Sequence, residues 1–169
     1  MQLIDTFTTD RLFAERLKFK HLNELCRMHQ NQQVMATLGG VRSDEETRLF
    51  IFNNLHHWQC YGFGLWVFRD KVNHQFVGRA GLRNTHVEGM NEVELAYALM
   101  AKFWNQGLAT EMSEQILQIA FELLKLQEVV CFTLTTNQAS RRVIEKLGFK
   151  YEREIIHANL PHLFYRLTV

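Results

Sequence analysis

The segment Asn137 to Phe149, N-Q-A-S-R-R-V-I-E-K-L-G-F, constrains the fold more than any other part of the chain. It follows the continuous β-forming run Val129 to Thr135, whose unbroken apolar character predicts a central strand. Val143, Ile144 and Leu147 then stand at i, i+1 and i+4, giving a short helix one apolar face. Gly148 stands where a helix C-terminus favours a residue that tolerates positive φ. The segment therefore predicts a strand, a helix starting near Asn137 or Gln138, and a return to extended chain.

Upstream, Trp104-Asn105-Gln106-Gly107-Leu108-Ala109-Thr110-Glu111 lies between a predicted strand, Glu92 to Met100, and a predicted long helix, Gly107 to Leu126. A glycine-bearing turn at a helix N-terminus leaves backbone N–H groups free at the positive end of the macrodipole, which suits an anion such as a diphosphate. Gly107 and Ala109 keep bulky side chains away from that approach, and Thr110 offers a hydroxyl. Taken alone, the same residues describe the start of a helix with no ligand.

Elsewhere the chain predicts a strand at Leu12 to Leu17 and a helix from about Lys20 to Val34. Ser43-Asp44-Glu45-Glu46 forms a capping box that opens a second helix. Leu65 to Arg69 and Phe76 to Leu82 read as a hairpin across the polar turn Asp70 to Gln75, and a last strand begins near Leu163. Strands and helices alternate without a regular βαβ period, so a mixed α/β (α+β) sheet is expected, in a single domain spanning residues 1–169.

Both motifs resemble those of the GNAT superfamily of acyl-CoA-dependent N-acetyltransferases. Its pyrophosphate loop reads Q/R-x-x-G-x-G/A, and the ribosomal-protein-alanine N-acetyltransferase branch often carries W-G-K-G-Y-A-T-E. Here W-N-Q-G-L-A-T-E follows that branch, with Trp104 at the Gln/Arg position and Asn105 in place of a glycine. Asparagine is among the residues that best tolerate the left-handed region. E-L-A-Y-A-L-M, residues 94–100, resembles the family's E-I-G-Y-W-L; T-D-R-L, G-F-G-L-W, V-G-R-A-G-L and the tail Tyr151 to Leu167 are further echoes.

The resemblance implies a central, mostly antiparallel twisted sheet with a splayed strand pair, flanked by helices. It implies acetyl-CoA as co-substrate, with Asn105, Gln106, Gly107, Leu108, Ala109 and Thr110 at the diphosphate. Asn137 and the backbone of Leu99 would lie along the pantetheine arm, and an N–H near Leu99 would serve the oxyanion. It places Glu94 beside the thioester as candidate base; Glu92 shares its face, and pairing with an arginine is the alternative. The family's usual tyrosine acid falls at Ile144 and is missing, while Ser140 stands where the branch carries a serine proposed to protonate the thiolate. The alternative for Ser140 is a helix cap.

An α-amino group with pKa near ~7.8 is about one-third neutral at pH ~7.4, whereas a lysine amine near ~10.4 is neutral about once in a thousand. An enzyme for N-termini thus asks little of its base. The branch favours a protein or peptide N-terminal α-amine as acceptor; the alternatives are a small-molecule amine (amino acid, polyamine or aminoglycoside) or a CoA-binding module without turnover. Phe50, Phe52, Trp58, Tyr61, Phe63 and Trp66 are expected to divide between the core and the acceptor pocket.

Net charge of +1 marks neither a nucleic-acid partner nor a membrane surface. Met1 to Phe7 lacks the character of a secretory leader, and no apolar run spans a bilayer, so a cytoplasmic protein is expected, as monomer or homodimer. Cys26, Cys60 and Cys131 are read as reduced, mostly buried thiols. The pairs His56-His57 and His157 with His162 lack a completing carboxylate, so no metal is expected.

Overall fold

The computed structural model describes residues 4–169; Met1, Gln2 and Leu3, within the segment read for leader character, lie outside the described residues. Eight strands form one sheet in the order β1-β2-β3-β4-β5-β6-β8-β7. They are β1 (Thr6–Thr8), β2 (Leu12–Arg16), β3 (Leu65–Asp70), β4 (Phe76–Val87), β5 (Met90–Leu99), β6 (Glu128–Leu134), β7 (Lys150–His157) and β8 (Leu160–Thr168). Every neighbouring pair is antiparallel except β5 and β6.

That exception positions the site. β5 and β6 meet through a single residue pair, Glu94 with Val130, and then diverge. Met100 donates its N–H to Val77 O at 2.9 Å, which fixes the alternation along β4 and β5. Arg79 with Ala98 and Arg83 with Glu94 are therefore the hydrogen-bonded pairs, so Leu95, Tyr97 and Leu99 turn their backbone groups toward β6.

Helices cover both faces. On one side α1 (Leu22–His29) and α3 (Asp44–Tyr61) pack Leu25 and Ile51 against Leu65 and Val67, while α2 (Gln32–Met35) adds Val34 and Met35 against Ala98. On the other side α4 (Leu108–Gln118) and α5 (Gln138–Lys146) pack Met112, Ile116 and Ile144 against Leu82, Leu95 and Leu99. Burying each such side chain contributes about 1.5–3 kcal/mol. No helix among the described residues is long and apolar enough to cross a membrane.

The local signals act as expected at α3 and α5. Ser43 Oγ accepts from the Glu46 N–H at 3.2 Å, and Glu46 accepts from the Ser43 N–H at 2.7 Å. Gly148 ends α5 at φ 92°. Several boundaries differ from expectation, among them β4, which runs past Leu82 to Val87. The helix expected over 20–34 is a 3₁₀ turn, α1 and α2, because Asn31 interrupts it by capping α2 through its side chain. The helix expected to run to Leu126 ends as α at Gln118 and continues as a π turn over Ile119–Leu123, where Leu124 N–H reaches Ile119 O. The terminal strand is a hairpin: β7 precedes β8 across Ala158-Asn159, both at positive φ without a glycine to announce the turn.

Candidate active site

The loop from Trp104 to Gly107 joins β5 to α4, and its backbone has the form its sequence allows. Asn105 takes φ 58° and Gly107 φ 75°, so asparagine occupies the left-handed conformation where the related motif has glycine. Glu111 N–H closes the first turn of α4 on Gly107 O, leaving the N–H groups of Leu108, Ala109 and Thr110 at the open helix end. Leu108 and Thr110 bury their side chains, so they offer backbone donors rather than a hydroxyl. Beside Gly107 the space is open, with Arg11 Nη2 3.5 Å from the position of an added Cβ.

A clasp from the chain's start holds this loop. Arg11 donates from Nη1 to Gln106 O at 2.7 Å and from Nε to Glu111 at 2.6 Å. Glu111 also accepts the Arg11 N–H at 2.7 Å and the Thr9 hydroxyl at 2.5 Å. Burial alone would raise the Glu111 pKa, but the Thr9 hydroxyl, the Arg11 N–H and the guanidinium together bring it below the usual carboxylate value. Trp104 donates its indole N–H to Leu99 O at 2.9 Å, so the N–H of Leu99 is the group it turns to the gap.

Two pairs flank the divergence of β5 and β6, one on each face of the sheet. On the α1–α3 side, Glu94 is buried and receives Arg83 at both oxygens, at 2.6 and 3.2 Å. The arginine pairing foreseen as the alternative is present, and it leaves further lone pairs on the carboxylate. Glu92, the other candidate, is held at both oxygens by Arg166, which also binds Glu128 and Glu152; this network raises the pKa of Arg166. Glu92 is thus a tie between β5 and β8.

On the α5 side, Ser140 Oγ lies 2.8 Å from the Tyr97 hydroxyl. Asn137 rather than Ser140 caps α5: its Oδ1 accepts the Ser140 N–H at 3.1 Å, leaving its amide N–H₂ as a donor. Burial pushes the Tyr97 pKa up, so the phenol stays protonated. Tyr97 was legible only as a period-two neighbour facing away from Glu94 in E-L-A-Y-A-L.

Of the aromatic residues, Trp58, Phe63 and Trp66 are buried core, Phe52 and Tyr61 are exposed, and Phe50 is half-buried beneath Arg42 and Arg79. Cys131 is buried, Cys26 intermediate and Cys60 exposed, so burial holds for fewer thiols than expected. Among the described residues no cluster of three or more His, Cys, Asp or Glu is arranged to hold a metal. Asp44, Glu45 and Glu46 are the exposed first turn of α3. Neither broad open depression, one at Arg16, Trp58 and Tyr61 and one at Arg141, Tyr151 and Tyr165, is lined by Glu94, Tyr97, Leu99 or Ser140.

Residues 11–150 match the family model described as an acetyltransferase (GNAT) domain. The chain belongs to the GNAT acetyltransferase family. It is an N-acetyltransferase by family, and GNAT acetyltransferases use acetyl-CoA. An acetyltransferase from Agrobacterium tumefaciens superposes with a TM-score of 0.86 at 21% identity, over 100% of this chain and 97% of that one. A Salmonella typhimurium acetyl transferase that modifies the N-terminal serine of a 50S ribosomal subunit protein superposes with a TM-score of 0.77 at 20% identity, over 95% and 96%. These two show the GNAT fold. The FsC-acetyl coenzyme A-N(2)-transacetylase of Aspergillus fumigatus is 29% identical over 86% of this chain and 65% of its own length.

Proposed function

We propose that this GNAT enzyme transfers the acetyl group of acetyl-CoA to a primary amine by direct attack, with a protein or peptide N-terminal α-amine the favoured acceptor. The observation that carries the reading is the divergence of β5 from β6 after Glu94, next to a loop with two left-handed residues and three free helix N–H groups. That geometry fits a diphosphate at residues 105–110 and an extended amide arm along Tyr97 and Leu99, with the Asn137 amide as a further donor. When bound there, acetyl-CoA supplies the thioester carbonyl that the amine attacks.

The residues divide the work by face. Glu94 accepts a proton from the incoming ammonium on the α1–α3 side through lone pairs that Arg83 leaves free. The Leu99 N–H donates to the carbonyl oxygen as charge develops on it. Ser140 holds a proton at Oγ on the α5 side, where the sulfur leaves, and Tyr97 fixes the direction of that hydroxyl. A neutral α-amine needs little help, which suits a carboxylate already paired with arginine. The Salmonella neighbour's action on an N-terminal serine supports the acceptor class.

The test is a panel of amines with acetyl-CoA, followed by thiol release and by mass. Acetylation of peptide N-termini in preference to lysine amines is expected. Turnover confined to polyamines or aminoglycosides would contradict the acceptor, and no turnover on any amine would contradict the transferase reading.

A further inference from the structure

The α1–α3 face beside Glu94 carries more positive charge than the fold uses. Arg79 and Arg83 stand on β4 with Gly81 between them, so both project from the same face. Arg83 is opposite Glu94 and bound to it. Arg79 is 4% exposed, and among the described residues its one hydrogen bond runs from Nε to His29 Nε2, at 3.2 Å. A buried guanidinium is ordinarily matched to a carboxylate, because an uncompensated buried charge is costly.

Among the described residues nothing nearby supplies that carboxylate. His29 is neutral: it accepts from Arg79 at Nε2, and its Nδ1 lies 3.0 Å from Thr47 Oγ1. Burial, then Arg79 and Arg42, push its pKa down to about 3. Arg42, half-buried in the loop before α3, lies over the ring of Phe50 at 5.1 Å, and Arg79 lies over the same ring at 4.5 Å. The carboxylates in reach are Glu94, already held by Arg83, and Glu46, which binds the Ser43 N–H. Burial and the neighbouring guanidiniums lower the Arg79 pKa only to about 9, so Arg79 is charged at neutral pH.

We propose that the acceptor carries an oxyanion, a carboxylate or phosphate, beside its amine, and that Arg79 and Arg42 receive it while Glu94 receives the ammonium. The inference rests on the acetyl-transfer reading and narrows its acceptor. Opposite charges on one acceptor would thus meet opposite charges on one face of β4 and β5. A guanidinium binds carboxylate or phosphate through paired N–H donors, and such charge-assisted bonds are strong where water is excluded. The same cations repel polyamines and aminoglycosides.

The experiment compares matched acceptors that differ only in the oxyanion, using the full chain with acetyl-CoA. The pairs are an α-amino acid and its amide, a peptide with Asp second and the same peptide with Asn second, and phosphoethanolamine and ethanolamine. In at least one pair the anionic member is expected to have a kcat/KM at least about tenfold higher, and the responding pair identifies the carrier. Arg42→Gln and Arg79→Met are each expected to shrink the ratio to about twofold or less, with turnover of the neutral member retained. Arg42 is only half-buried, so its variant keeps the test available if Arg79→Met fails to fold. Equal kcat/KM within every pair, or a preference that survives Arg42→Gln and any folded Arg79→Met, would overturn the inference and leave acetyl transfer standing. No turnover with any amine would overturn acetyl transfer, and the inference with it.

Discussion

The hydroxyl of Tyr97 lies 2.8 Å from that of Ser140, joining β5 to α5 across 43 residues of sequence. Glu94 stands three residues before Tyr97, about 10 Å along the strand, and faces the opposite side of the sheet. Donor and acceptor of protons are thereby separated by the strand along which the thioester is proposed to lie. Tyr97→Phe keeps the ring and removes the hydroxyl that directs Ser140. It is expected to lower kcat by about tenfold with little change in the KM for acetyl-CoA, and Ser140→Ala by about tenfold to a hundredfold. Steady-state kinetics on both variants check this. A larger effect on KM than on kcat would make the pair structural instead.

Glu94→Gln removes the proposed proton acceptor and leaves Arg83 without its partner. A fall in kcat/KM of about a hundredfold is expected, with the acidic limb of the pH–rate profile moving toward the pKa of the amine itself. The double variant Glu94→Gln with Arg83→Gln restores neutrality. It is expected to recover thermal stability but not activity, which separates chemistry from the cost of an unpaired charge.

The Arg11–Glu111 clasp ties the loop from Trp104 to Gly107, proposed to hold the diphosphate, to the segment between β1 and β2. Glu111→Ala is expected to raise the KM for acetyl-CoA by about tenfold while leaving kcat within about twofold, because the loop loses its order and not its chemistry. Titration with CoA reads the same loss without any acceptor.

His29 gives stability a pH dependence whose sign follows from its lowered pKa. The folded protein excludes its proton down to about pH 3, whereas the unfolded chain takes one up near pH ~6.5. Its contribution is therefore fully present above about pH 6.5 and is lost as pH falls toward 3, at up to about 1.4 kcal/mol per pH unit. His57 adds in the same direction: burial lowers its pKa, and its Nε2 accepts the Asn84 N–H, a bond that protonation would break. Urea midpoints at pH 7 and pH 4.5 measure the loss, and His29→Gln is expected to reduce the difference.

What could be read in the sequence was local. The capping box at Ser43, the glycine that ends α5 and the left-handed tolerance of Asn105 each depend on a few neighbouring residues, and each takes its expected form. The placement of Glu94 and Ser140 on strand and helix was legible for the same reason. Their partners were not. Arg83 meets Glu94 only through the register of β4 on β5, and Tyr97 meets Ser140 only once the sheet and α5 are packed. The interruption at Asn31 and the hairpin at Ala158-Asn159 carry neither glycine nor proline to mark a break in the chain. The unpaired charge of Arg79 was hidden in V-G-R-A-G-L, which shows a strand but not what lies above it.

Calorimetric titration with acetyl-CoA tests the central claim most directly, comparing the unaltered protein with Gly107→Glu. That variant places a bulky anionic side chain at φ 75°, beside the three free N–H groups that begin α4. Micromolar binding by the unaltered protein, abolished by the substitution, is the predicted result. Equal affinity in both would remove the loop from the cofactor site, and no binding by the unaltered protein would contradict the acetyltransferase account itself.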